Sequence, residues 1–318
     1  MTVDLDAYVA EHGGEWRRLE ELSRRGRLDA AEVDELVTLY QRAATQLSVL
    51  RSRSPDPALV SQLSQVVLRA RARLTDRPRP SWAAVGRFLL VNFPGAVYRA
   101  WPWWCGVATG FTLLSFFLIW FVAGNPETAG AFIGDEAAGD LVESGFAGYY
   151  TEFAAPTFAF HLWTHNAWLA AQCLAAGVLI VPVFYLLWQN ALNIGVVGGV
   201  MVAYGRADVF FGLITPHGLL ELTGVFVAAG LGLRTGWAWI APPAQLTRGQ
   251  AVARAGREGI VVAVGLVGLF AVSALIEAFV TPAPVPVPLR VALGAAVWLA
   301  FLAYVVLLGR RAPVPVDH

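Results

Sequence analysis

The sequence contains no lysine. All 23 basic residues of the 318-residue chain are arginines, and 23 acidic residues balance them to a formal net charge of zero. A chain without a basic excess has little means of holding a polyanion, so we expect no nucleic-acid partner. Charged residues make up only 14% of the sequence, against roughly 25% in soluble domains, and hydrophobic residues make up 57%. This deficit of charge indicates a membrane protein.

Cysteine is also scarce. Cys105 and Cys173 both lie within apolar stretches, where a free cysteine behaves as a small apolar residue. The pair therefore predicts neither a disulfide framework nor a metal-binding cysteine pair. The sequence also lacks a phosphate-binding loop and a Ser-His-Asp set, so we expect no cofactor and favour a non-enzymatic protein over an enzyme.

Basic residues are absent from one long region, between Arg99 and Arg206, and apolar stretches of 18 or more residues recur in the second part of the chain. About 20 such residues cross the roughly 30 Å core of a bilayer as a helix. We predict an all-α, polytopic membrane helix bundle of about six spans with a small N-terminal cytoplasmic helical domain. The third span is short, so residues 190–215 are alternatively a re-entrant hairpin. The predicted spans are residues 103–122, 167–188, 191–204, 219–240, 259–280 and 291–308.

The chain divides into four predicted segments. Residues 1–77 form a cytoplasmic region of three helices, with Asp29 and Glu32 as a capping box at the start of the second helix. Residues 78–100 form a linker and an interfacial helix that bends at Pro94. The membrane domain covers residues 101–311, and a short tail covers residues 312–318.

The arginine distribution predicts the orientation. Fifteen of the 23 arginines lie at or before Arg99, and others follow the fourth and the last predicted spans. Because basic residues accumulate on the cytoplasmic side, we predict that both termini are cytoplasmic. The acidic segment 124–160, which has no basic residue, is then outside. Abundant Ala, Val, Gly and Arg are typical of a GC-rich bacterial genome, so we expect a multi-pass protein of the bacterial cytoplasmic membrane.

Polar residues inside the apolar spans are the main indication of function. An ionisable side chain costs roughly 2.5–3.5 kcal/mol to insert into a bilayer, so such residues normally face a bundle interior. His217 and Glu221 share one helix face, and the topology places Glu277 at a similar depth. The predicted polar intramembrane site consists of His217, Glu221, Glu277, His161, His165 and Asn166.

Two interpretations of this polar layer remain open. The side chains can pair with one another and hold the bundle together. Alternatively, they form a site open to the outside that binds a metal ion, relays protons or holds a polar ligand. His217 and Glu221 are candidate metal ligands, although they lack the second histidine of a His-Glu-x-x-His helix.

Small residues and amides predict close packing of helices. A stripe of small residues allows two backbones to approach, and an amide can cap backbone groups or bridge two helices. The predicted helix-packing residues are Asn190, Asn193, Gly195, Gly199, Gly224, Ala228 and Gly232.

Several runs of sequence resemble a known family. They are Asn190-Ala-Leu-Asn-Ile-Gly195, Gly212-Leu-Ile-Thr-Pro216-His217-Gly218-Leu-Leu-Glu221 and Ala228-Ala-Gly-Leu-Gly232, together with His165-Asn166 and Ile276-Glu277-Ala-Phe-Val-Thr-Pro282. Over roughly residues 85–310 the chain resembles stage II sporulation protein M, in an extended bacterial type with a cytoplasmic N-terminal helical region. In spore formers the resemblance implies a membrane scaffold that works with two extracytoplasmic peptidoglycan-degrading proteins during engulfment. Related proteins of the extended type occur in bacteria that do not sporulate.

We therefore expect an integral membrane scaffold or interaction protein that acts in cell-envelope (peptidoglycan) remodelling. Its expected partners are membrane lipid, proteins on either membrane face and a second copy of the chain. The alternative is a small transporter, channel or lipid-handling protein that uses the outer-leaflet Glu/His site, and a third interpretation is an intramembrane metalloenzyme. A scaffold should bury its carboxylates in pairs, a transporter needs a wet path to them, and an enzyme needs three convergent ligands with an open position.

Overall fold

The structure is a computed structural model that describes residues 5–26, 28–53, 56–75, 81–125, 127, 134–149 and 154–313. These residues are helical and contain no β-strand, which confirms the all-α fold class. They form two compact units, Met1–Ser81 and Trp82–His318, so the division falls four positions after the predicted end of the cytoplasmic region. Most of the predicted tail lies outside the described residues, as do residues 78–80 of the predicted linker.

The first unit is a bundle of three helices, α1 (Leu5–Arg24), α2 (Ala30–Arg53) and α3 (Pro57–Thr75). Helix α2 begins with the predicted capping box: the Glu32 amide donates to Asp29 Oδ1 (2.8 Å), and the Asp29 amide donates to Glu32 Oε2 (3.1 Å). The apolar faces of the three helices bury one core of leucine, valine, alanine and Trp16 side chains. The indole of Trp16 donates to the Gln46 amide oxygen (2.6 Å), which satisfies its N–H inside this core.

Ion pairs connect the polar faces of α1 and α2. Two nitrogens of Arg18 donate to the Glu35 carboxylate at 3.0 and 2.8 Å, and a third hydrogen bond reaches Glu21 at 3.2 Å. These hydrogen bonds lower the pKa of both carboxyl groups and raise the pKa of Arg18. Exposed pairs contribute little individually, so the buried core is the main source of stability for this unit.

Residues 82–99 form two short helices, α4 (Trp82–Arg87) and α5 (Phe93–Arg99), joined by a π-helical turn over Phe88–Asn92. The π turn therefore precedes Pro94, which lies in the first turn of α5. Proline cannot donate a backbone hydrogen bond and clashes with the carbonyl four residues earlier, and a π turn accommodates both effects. Whereas Trp82 is 90% exposed, residues 93–97 are buried. The second half of the predicted interfacial helix is thus part of the bundle.

Among the described residues, five helices are long and apolar enough to cross a membrane. They are α6 (Trp101–Gly124), α10 (Val181–Ala203), α11 (Ala207–Ile240), α12 (Arg248–Leu275) with its π-helical extension Ile276–Val280, and α13 (Val287–Gly309). Between α6 and α10 lie α7 (Asp135–Asp140), α8 (Phe146–Gly148) and α9 (Ala155–Ala175). Helix α9 has 21 residues and packs along α11 and α12, although its polar side chains make it less apolar than the five.

The predicted boundary between the second and third spans was wrong. The chain breaks at a 3-10 turn over Ala176–Leu179, and Ile180 has a φ of 61°. Helix α10 then runs without interruption through residues 188–191, where the boundary had been predicted. Residues 190–215 are the end of α10, a turn and the start of α11, and they do not form a separate re-entrant hairpin. Hydropathy is continuous across this region, but Gly177 and Pro182 mark the break, because glycine ends helices and proline begins them.

Helix α11 occupies the centre of the second unit. It has 34 residues and packs against α6, α9, α10, α12 and α13. Nearly every residue from Thr223 to Gly236 on this helix is buried. Helices α6 and α13 instead expose many large apolar side chains, as expected for helices that face lipid. The central position of α11 brings its polar residues into contact with the helices on either side.

Candidate functional site

The structure brings three ionisable side chains together in the second unit. His217 and Glu221 lie one turn apart on α11, and Glu277 lies on the π-helical extension of α12. One nitrogen or oxygen atom from each of the three lies within 4.8 Å of the others. The π turn is the local feature that positions Glu277, because its wider backbone spacing aims side chains differently from a regular α-helix.

His217 is fixed by contacts from both of its ring nitrogens. Its Nδ1 lies 3.2 Å from the hydroxyl oxygen of Thr281, and its Nε2 lies 3.6 Å from a carboxylate oxygen of Glu277. The Thr281 hydroxyl also donates to the backbone carbonyl of Ile276 (3.4 Å), and Arg290 donates to the Thr281 carbonyl. The imidazole is therefore tied to the turn that ends α12.

Glu221 lies at the meeting point of three helices. It accepts a hydrogen bond from Ser273 of α12 (3.4 Å) and lies beside the Asn166 amide of α9 and the carboxyl group of Glu277. Ser273 also contacts the backbone carbonyl of His217 (3.3 Å). The glutamate pair therefore connects α9, α11 and α12.

The cluster is largely withdrawn from the surface of the unit. His217, Glu277, Asn166 and Ser273 are buried, and only Glu221 is half-buried. Polar groups in such surroundings need partners, because an unpaired buried polar group costs roughly 2–7 kcal/mol. The contacts described above supply them within the cluster.

Two of the predicted site residues lie elsewhere. His161 and His165 are exposed on α9, on the opposite side from Asn166, which is buried in the cluster. Helical geometry explains the difference, because neighbouring residues on a helix point about 100° apart. Of the three α9 residues predicted for the site, the structure brings only Asn166 to it.

Of the predicted packing residues, the small ones lie at close contacts between helices and the two asparagines do not. Asn190 donates to the Leu186 carbonyl of its own helix (2.9 Å), and Asn193 is exposed, so neither amide bridges two helices. Both lie in the middle of α10, where the correct helix boundary places them. The small residues do lie at close contacts: Gly195 against Leu118, Gly199 against Val122, Gly224 against Leu269 and Phe270, Ala228 fully buried, and Gly232 against the backbone of Cys173 and Gly177.

A second buried charge cluster was not predicted. Glu258 of α12 accepts a hydrogen bond from Arg234 of α11 (2.7 Å) and lies 3.5 Å from Arg99 of α5. The predicted fifth span begins at residue 259, one position after Glu258. A single acidic residue directly after Arg248, Arg254 and Arg257 was the available signal.

Cavities adjoin the membrane helices in the part of the chain that the structure describes. One of about 540 Å³ is lined by residues of α6, α10, α11 and α13, and one of about 820 Å³ by residues of α6, α10 and α11. A third, of about 200 Å³, lies between α9 and α12. The walls of all three are mainly apolar, and His217, Glu221 and Glu277 line none of the three.

Each of the two units matches a known protein family. Residues 108–282, more than half of the chain, match the family described as Stage II sporulation protein M. Residues 6–76 match a family described as Domain of unknown function (DUF8413). The first match includes the whole polar cluster, and the second covers nearly all of the three-helix unit. No curated protein and no solved structure matches the chain.

Proposed function

This chain belongs to the stage II sporulation protein M family, and on that premise we propose that it is a non-enzymatic membrane scaffold that acts in remodelling of the cell envelope. It is a membrane protein built of apolar helices. In this role the membrane part anchors the protein, and its cytoplasmic and outer faces bind other proteins. Peptidoglycan-modifying proteins are the class of outer partner that this role requires.

The pairing of the buried carboxylates is the observation that supports a scaffold most directly. Glu221 and Glu277 lie beside each other and beside side chains of three helices, and the three cavities described above do not reach them. A transport pathway needs water or substrate access to its charged groups. Polar contacts that join several helices instead make the bundle rigid.

The charge distribution supports an orientation for this scaffold. When α9 is counted with the five apolar helices, the chain crosses the membrane six times, so both termini lie on one side. The positive-inside rule makes that side the cytoplasm, because the first unit and the end of α13 are rich in arginine. The three-helix unit then faces cytoplasmic partners, and residues 134–149 face the outside.

A site-specific photocrosslinking experiment tests the scaffold. A photoreactive residue at Leu68, which is 62% exposed on α3, should yield a discrete crosslinked protein when cells of the native bacterium are irradiated. The same residue at Gln41, an exposed polar position on α2, serves as the matched control. Substitution Leu68→Glu should abolish copurification of that partner. Loss of the crosslink in cells, combined with ion flux by the purified protein in liposomes, would contradict the scaffold.

A second candidate function is lipid handling, and the cavity of about 540 Å³ favours it. Its walls are almost entirely apolar, and they include Ser115, whose hydroxyl oxygen is buried without a hydrogen-bond partner among the described residues. An acyl chain fits such a groove. Lipid scrambling by the purified protein in vesicles, reduced when Ala108→Trp fills the groove, would favour this function over the scaffold.

A further inference from the structure

Two contacts place the ring nitrogens of His217. Nδ1 lies 3.2 Å from the hydroxyl oxygen of Thr281, and Nε2 lies 3.6 Å from a carboxylate oxygen of Glu277.

The spacing of these atoms fits a cation better than a direct hydrogen bond. Nε2 of His217 and the oxygen of Glu277 are 3.6 Å apart, whereas N–H···O hydrogen bonds are about 2.7–3.2 Å long. Ligands around a tetrahedral zinc ion, with bonds of about 2.0–2.2 Å, lie roughly 3.4 Å from one another. The three ligand atoms of His217, Glu221 and Glu277 already lie within 4.8 Å of one another.

The donor set indicates the class of metal. The imidazole is a borderline ligand and the two carboxylates are hard ones, a mixed set that zinc and neighbouring transition metals accept, whereas magnesium and calcium prefer oxygen ligands alone. Two ionised carboxylates carry a charge of −2, and a divalent cation neutralises it without leaving a charge among buried side chains.

The groups around the ligands resemble the outer layer of a metal site. Thr281 contacts the imidazole at Nδ1, Ser273 donates a hydrogen bond to Glu221, and Asn166 lies beside Glu221. Such partners orient metal ligands. Three protein ligands leave the fourth position of a tetrahedral ion to water.

We propose that His217, Glu221 and Glu277 bind one divalent transition-metal ion of the zinc class, which clamps α11 to α12. The site is independent of the scaffold role: it can exist whether or not the chain has protein partners.

Metal binding by the full-length protein in detergent tests the site. After dialysis against a chelator, Zn²⁺ at a hundredfold excess over its Kd should raise the Tm by about 5–10 °C. Elemental analysis of the protein after desalting should give one zinc per chain. Mg²⁺ at the same concentration should leave the Tm unchanged, and a Mg²⁺ shift equal to that of Zn²⁺ would overturn the assignment of metal class.

Two substitutions locate the bound ion. Glu277→Gln keeps the shape and hydrogen bonding of the side chain but removes a charged ligand, so the variant should fold in the metal-free state and lose the zinc-dependent rise in Tm. His165→Ala, which removes an exposed histidine of α9, should retain the full rise. A wild-type protein whose Tm and metal content do not respond to Zn²⁺ would show that the cluster does not bind zinc. A Glu277→Gln variant that responds like the wild type would place the zinc elsewhere, and either result would overturn the proposal.

Discussion

Replacement of Gly232 by alanine should destabilise the second unit, because the new methyl group would collide with the backbone of a neighbouring helix. A Cβ atom at this position would overlap the carbonyl oxygen of Cys173 and lie 3.3 Å from the Cα atom of Gly177. Backbone atoms cannot rotate away as a side chain can, so α11 would have to separate from the end of α9. The close approach of the two helices is possible only because the α11 residue is glycine.

The magnitude of the effect can be estimated from overpacking in protein cores. Inserting a methyl group into a well-packed contact costs about 1–3 kcal/mol, which corresponds to a fall of about 2–10 °C in Tm for a unit of this size. Gly268→Ala is the matched control. A Cβ atom at Gly268 of α12 has no neighbour within 4 Å, so alanine there should raise stability by about 0.5–1 kcal/mol through its higher helix propensity.

Thermal unfolding of the two purified variants, followed by intrinsic fluorescence in the same detergent, measures the difference. We expect a lower Tm than that of the wild type for Gly232→Ala and an equal or higher Tm for Gly268→Ala. If Gly232→Ala melted at or above the temperature of the wild type, α11 and α9 would not be in backbone contact. The proposed packing of the central helix would then be refuted.

Three further predictions follow from other parts of the chain. In a cysteine-free background, cysteine at Ala137 should react with an impermeant thiol reagent on intact cells and cysteine at Ala58 should not; the reverse labelling would overturn the orientation. Glu258→Ala should lower the Tm of the full-length protein by roughly 5–10 °C, since it leaves two arginines without their shared carboxylate, and an unchanged Tm would show that solvent replaces it. The stability that Glu35 contributes should be present above about pH 4.5 and be lost as the pH falls further, because its hydrogen bond with Arg18 lowers its pKa in the folded state. Melting of a fragment of residues 1–81 at pH 6 and pH 3 measures this loss, and Arg18→Ala should reduce the difference between the two temperatures.

The sequence was sufficient to predict features whose signals are local. The capping box of Asp29 and Glu32 depends on two residues three positions apart, and the structure has it as predicted. The fold class and the family resemblance, carried by runs such as that from Gly212 to Glu221, are confirmed as well. Such features need no knowledge of which helices are neighbours.

Features that depend on the rotation of a helix about its axis could not be predicted from the sequence. His165 and Asn166 are adjacent in sequence, yet one is exposed and the other contacts Glu221. Hydropathy gave no preference between the two, because both are polar and the apolar residues of α9 surround them on all faces. The contact of Glu258 with Arg234 was missed for a related reason: it joins residues 24 positions apart on two helices whose relative depth was unknown.

The long separation between His217 and Thr281 has a consequence for biosynthesis. Their contact joins residues 64 positions apart, and a ribosome that adds roughly 5–20 residues per second needs about 3–13 s to cover that distance. For most of that interval His217 and Glu221 have been made, while Ser273, Glu277 and Thr281 have not. Asn166, on the earlier helix α9, has been made before them. We therefore expect α11 to stay beside the insertion machinery or α9, and to enter the lipid phase only together with α12 as a helical hairpin.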